Sequence, residues 1–184
     1  MGIYVIFIVI ALVSYLVQSS LKNKFERYSQ MPIAMTGKEV AEKMLHDNGI
    51  YDVRVISTPG MLTDHFNPTD KTVNLSEGVY SSNSVAAAAV AAHECGHAVQ
   101  HATKYGALQL RSSLVPIVSF ASQWISWVLL AGILLIEVMP QIMLAGIILF
   151  AMTTLFSIVT LPVEINASHR ALVWLDRSGI ATGR

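Results

Sequence analysis

The chain has 184 residues with twelve basic and twelve acidic side chains; 53% of residues are hydrophobic and 13% charged, and mean hydropathy is +0.54. Soluble domains carry about 25% charge, so this composition excludes intrinsic disorder and argues against an ordinary soluble globule. The balanced charge gives no electrostatic case for a nucleic-acid partner. A single cysteine, Cys95, excludes an intramolecular disulfide framework and any CxxC-type zinc site.

Residues 3–17 are apolar apart from Ser14, and the first charge in the chain is Lys22. As a helix the uncharged stretch to Leu21 spans roughly 30 Å. A cleaved signal peptide needs basic residues before the apolar run and a small-residue cleavage site after it. Here Lys22, Lys24 and Arg27 follow the run instead, which predicts a retained anchor over 1–21.

A water-facing segment, 22–111, comes next. Thr36-Gly37-Lys38-Glu39 matches a capping box. Val40, Ala41, Met44 and Leu45 then form a helical stripe that Gly49 ends. Strands are expected at 52–56, 61–66 and 71–75, around turns at Pro59-Gly60 and Asn67-Pro68-Thr69-Asp70. The alanine-rich run from Ser84 predicts a helix able to pack closely on that small sheet.

That helix carries His93-Glu94-Cys95-Gly96-His97, an H-E-x-x-H motif in the context it requires. Residues i and i+4 share a face with Cβ atoms about 6 Å apart, so both imidazoles can reach one zinc ion. Glu94, rotated about 100° from His93, is placed to take a proton from a water at the metal. The bland alternative, polar residues on an exposed helix face, does not explain why they interrupt an apolar run.

Catalytic zinc generally takes three protein ligands. His101 lies about 12 Å along a straight helix from His93, too far to share the ion, and no glycine turn intervenes; it is read as a surface histidine.

Twenty-five uncharged residues separate Arg111 from Glu137, and 26 more separate Glu137 from Glu164. These predict a transmembrane hairpin over 112–163, with helices near 114–136 and 142–161 and a turn at 137–141. Every basic flank falls on one side of the three spans, which places the water-facing segment in the cytoplasm. Glu164, the first ionisable residue after the hairpin, opens a cytoplasmic segment, 164–184. An ionisable group there is a functional hypothesis by default, and Glu164 is the candidate third ligand; Pro162 could bend the helix and aim it. Asp64, His65 and Glu77 stand behind it as alternatives.

H-E-C-G-H, the later L-P-V-E-I-N-A-S and the earlier L-T-D-H-F-N-P together resemble the YugP-type neutral zinc metallopeptidases of bacterial membranes, over nearly the whole chain. A more distant similarity is to the HtpX and CAAX prenyl protease families. The resemblance implies a mainly α membrane protein with a small α+β zincin-like domain, one zinc ion per chain held by His93, His97 and Glu164, and location in a bacterial inner membrane. The distant families follow their glutamate ligand four residues on with an aspartate; here that position is Ser168, so a carboxylate supporting a zinc histidine is absent or comes from elsewhere. YugP-type proteins also continue into a further hydrophobic segment, so a chain stopping at Arg184 is expected to be a fragment.

The expected function is therefore a membrane-anchored zinc endopeptidase acting on peptides or membrane proteins, with Glu94 as general base. An intramembrane protease and an inactive zinc-binding scaffold are the competing classes; a regulatory membrane partner stays open. His65 is a candidate donor to the tetrahedral oxyanion, against a role in fixing a turn with Asp64. Arg170 is a candidate to orient a carboxylate or bind headgroups. Cys95 is expected to be a buried apolar residue.

Overall fold

The computed structural model describes residues 2–180. In chain order the elements are α1 (Gly2–Ser29), α2 (Gly37–Asp47), β1 (Arg54–Thr58), β2 (His65–Asn67), β3 (Thr72–Ser76), α3 (Glu77–Tyr80), α4 (Val85–Ala102), α5 (Gly106–Leu134) and α6 (Pro140–Ser178). Among the described residues, three helices are long and apolar enough to cross a membrane: Tyr4–Ser29, Gly106–Leu134 and Pro140–Ser178. The chain divides into two compact units: one runs to Ala98 and resumes at Arg170, and the other holds Val99–His169.

In the first unit, α1 exposes large apolar side chains along its whole length, among them Tyr4, Phe7, Ile8 and Leu16. The stretch from Tyr4 to Val17, apolar on every side and left uncovered by the other described residues, has lipid as its natural solvent. The helix continues to Ser29, past the expected end at Leu21, and the exposed Lys22–Glu26 pair at 3.8 Å supports the extension. The expected capping box of α2 is present: Glu39 N–H donates to Thr36 Oγ1 at 3.3 Å, and Thr36 N–H donates to Glu39 Oε2 at 2.7 Å. Val40, Ala41, Met44 and Leu45 form the buried face, and Gly49, at φ +71°, turns the chain out of the helix.

The sheet has the order β1-β3-β2, with β1 parallel and β2 antiparallel to the central β3. On β3, Val73 and Leu75 are fully buried; Thr72, Asn74 and Ser76 point the other way and are also buried. Asn74 Nδ2 donates to Thr72 Oγ1 at 3.0 Å, so part of that polar face satisfies itself. The strands are shorter or later than expected. β1 begins at Arg54, opposite Thr72, and Asp52 outside the ladder pairs with Lys71 at 2.6 Å. Of the expected strand at 61–66 only its last two residues are paired, in β2: Gly60 and Leu62 adopt φ of +103° and +59°, which an extended strand cannot contain. The turn after β2 is as expected, with Asn67 Oδ1 accepting from Thr69 N–H at 2.9 Å.

Ser84 Oγ accepts from Ala87 N–H at 3.2 Å and starts α4. The buried alanines at 87, 88, 91 and 92 add little bulk, and Cys95 Sγ reaches the Ala41 carbonyl of α2 at 3.5 Å. The end of α6 also meets α2, where Trp174 Nε1 donates to Asp47 Oδ2 at 3.0 Å.

In the second unit, α4 closes where Lys104 takes φ +52° and Tyr105 N–H donates to the Gln100 carbonyl at 2.9 Å. α5 and α6 form the expected hairpin. A Cβ on Gly132 would stand 2.8 Å from Met143 Cα, so glycine is what allows the two helices to approach there. The turn falls slightly earlier than expected, since α6 starts at Pro140: proline lacks the N–H that a first helical position leaves unpaired. α6 then runs unbroken through Pro162 to Ser178. Residues 164–178 continue this helix, with Val163 and Ala167 buried one turn apart; residues 181–184 of the segment expected after 163 lie outside the described residues.

Candidate functional site

α4 presents the H-E-x-x-H residues. The His93 and His97 rings lie edge-on at 85° with centroids 4.9 Å apart, the arrangement that i, i+4 spacing produces on one helix face. His97 and Glu94 are buried, whereas His93 is half-buried. Glu94 is thus a buried carboxylate on the helix that carries the two imidazoles, not a group on a solvated face. Cys95, on the other side of the helix, is fully buried against α2; burial pushes its thiol far above the usual cysteine range, with Glu94 adding to the shift. It is therefore a packing residue, as its helical angle implies.

Gln100 was not singled out by the motif, yet it lies on the same stripe at i, i+4, i+7 from His93. It is fully buried, and its Nε2 donates to the Val163 carbonyl of α6 at 2.8 Å and to Asn166 Oδ1 at 3.0 Å. The available signal was an amide on the histidine face of an otherwise apolar helix.

Glu164 is half-buried on α6. Arg111 of α5 approaches it, Nη2 standing 3.7 Å from Oε1. Arg111 had signified only a basic flank in the sequence; its partnership with Glu164 required the hairpin to bring together two residues separated by two uncharged runs.

The remaining candidates are more peripheral. His65 is exposed, and its Nδ1 lies 2.7 Å from the Thr63 carbonyl. Asp64 Oδ1 accepts from Ser76 N–H at 2.7 Å, which ties the loop before β2 to the start of α3. Glu77 is the first residue of α3. His101 is exposed in the last turn of α4, as expected.

A family model described as "Putative neutral zinc metallopeptidase" matches residues 3–184. The chain belongs to this family. It is also similar to "Putative membrane protease YugP" of Bacillus subtilis (strain 168), at 46% identity over 160 residues, 86% of this chain and 70% of that protein. No solved structure matches. Membership sets the coarse class, a zinc metallopeptidase.

Proposed function

We infer that this protein is a membrane-anchored zinc endopeptidase in which His93, His97 and Glu164 hold one zinc ion and Glu94 is the general base. The observation that carries this reading is the pair of edge-on imidazoles, centroids 4.9 Å apart, with the buried Glu94 on the same helix.

The donor set fits the metal: two imidazoles and one carboxylate each offer one ligand atom, and borderline-soft zinc takes such N and O donors with a fourth position left for water. Support for Glu164 comes from the Gln100 amide. It holds the Val163 carbonyl at 2.8 Å, and Gln100 is one turn beyond His97 while Val163 immediately precedes Glu164. Zinc, when bound, supplies a Lewis acid that acidifies water and polarises a peptide carbonyl.

Glu94 would then accept the proton of the attacking water as its oxygen bonds to the carbonyl carbon. The same proton passes to the departing amine nitrogen as the C–N bond breaks, which returns Glu94 to its carboxylate. His65 is retained as a donor to the carbonyl oxygen, subordinate to Glu94. The substrates are peptides or membrane proteins presented near the bilayer, and the site faces the cytoplasm because the basic flanks of all three spans lie on that side.

The test is metal content and peptide hydrolysis by the full chain in detergent. One zinc per chain and turnover abolished by chelation are expected. Absence of a bound transition metal after mild purification, or turnover that survives chelation, would refute the reading. For orientation, a cysteine placed at Lys38 should resist impermeant maleimide in intact cells, and labelling from outside would reverse the topology.

A further inference from the structure

We propose that Arg111 is the positioning residue for Glu164: its guanidinium holds the carboxylate in the orientation that presents an oxygen to the metal. The proposal rests on the reading of Glu164 as a zinc ligand and extends it to a residue outside the motif.

The two residues are the charged boundaries of the hairpin. Arg111 is the last charge before one uncharged run and Glu164 the first after the other, and folding α5 against α6 brings them to the same end. Both are about one-third exposed, at 33% and 37% of their side chains. At 3.7 Å the approach is longer than a hydrogen bond, an electrostatic contact that need not consume an oxygen lone pair. A guanidinium at that range orients a carboxylate while leaving it able to coordinate. Ligating carboxylates are generally oriented by partners outside the metal's own ligand set.

A second observation separates positioning from structural support. Arg111 Nε is buried and has no hydrogen-bond partner among the described residues. A buried donor left unsatisfied destabilises a fold, and a partly exposed ion pair contributes little in return. Arginine is thus a poor choice here for stability alone. Its planar, permanently charged head is a good choice for fixing a carboxylate.

The experiment measures zinc affinity by chelator competition and the melting temperature of the metal-free full chain, for wild type, Arg111→Met, Arg111→Lys and Glu164→Gln. Arg111→Met is expected to weaken zinc binding about 10- to 100-fold while leaving the metal-free melting temperature unchanged or higher. Arg111→Lys, which retains the charge, should recover part of the affinity. Unchanged zinc affinity in Arg111→Met would overturn the proposal. A matching fall in both affinity and metal-free melting temperature in both Arg111 variants would also overturn it, by assigning Arg111 a structural role. If Glu164→Gln weakens binding and the Arg111 variants do not, only the present inference fails. If Glu164→Gln binds zinc as tightly as wild type, the ligand assignment fails and this inference with it.

Discussion

Gln100, fully buried near the end of α4, donates its side-chain amide to the main-chain carbonyl of Val163 on α6 at 2.8 Å. One amide thus joins the helix that carries the two histidines to the helix that carries Glu164. Gln100→Leu preserves approximate volume but leaves the Val163 and Asn166 acceptors without this donor. A loss of about 1–3 kcal/mol in stability is expected, together with weaker zinc binding. Calorimetric melting of the metal-free protein measures the first effect and chelator competition the second.

Glu94→Gln keeps the shape of the residue and removes the base. Since Glu94 is not one of the proposed ligands, zinc content should equal that of wild type while peptide hydrolysis falls by about two to four orders of magnitude. Retained turnover would place the base elsewhere.

Cys95 should be chemically silent in the folded protein. Its thiol is fully buried and its pKa raised by desolvation, so thiolate is scarce at neutral pH. Maleimide should label the chain only after denaturation. Labelling of the native protein at the rate of an exposed thiol would contradict the packing of α4 on α2.

Gly132 and Gly106 make a matched pair for the hairpin. A Cβ at Gly132 would meet Met143 backbone at 2.8 Å, whereas one at Gly106 would meet nothing within 4 Å. Gly132→Ala should therefore destabilise by about 1–3 kcal/mol as α5 and α6 are forced apart, and Gly106→Ala should be close to neutral or better. Thermal melting in one detergent compares the two.

The α2 cap has a defined pH dependence. The Thr36 backbone N–H, and then its hydroxyl, hold the Glu39 carboxyl below its usual value of 4.5. A carboxylate with a lowered folded-state pKa stabilises the fold above its unfolded pKa and ceases to do so as pH falls through the folded one. As pH falls from 7 through the usual glutamate value of 4.5 and below it, Glu39→Gln should lose less stability than wild type. Thr36→Ala, which removes the other half of the cap, should cost about 1 kcal/mol at neutral pH.

Local patterns were sufficient for much of this protein. Long uncharged runs require helices wherever lipid leaves no water to satisfy the backbone, and α1, α5 and α6 follow from them. Thr36 and Glu39 specify a helix start through bonds between near neighbours in sequence. H-E-x-x-H places two imidazoles on one face by the helical repeat alone. Tertiary structure decided what depends on distant residues meeting. The strand expected from Met61 was shortened to a three-residue β2 by left-handed backbone at Gly60 and Leu62 and by the bond from Ser76 to Asp64. α6 extended through Pro162, although proline lacks one helical hydrogen bond, and its far end met α2 through Trp174 and Asp47. The partners of Gln100 and Arg111 lie 63 and 53 residues further along the chain. Helical and strand periodicities relate residues a few positions apart; only the packing of α5 and of the end of α4 with α6 brings these pairs within reach.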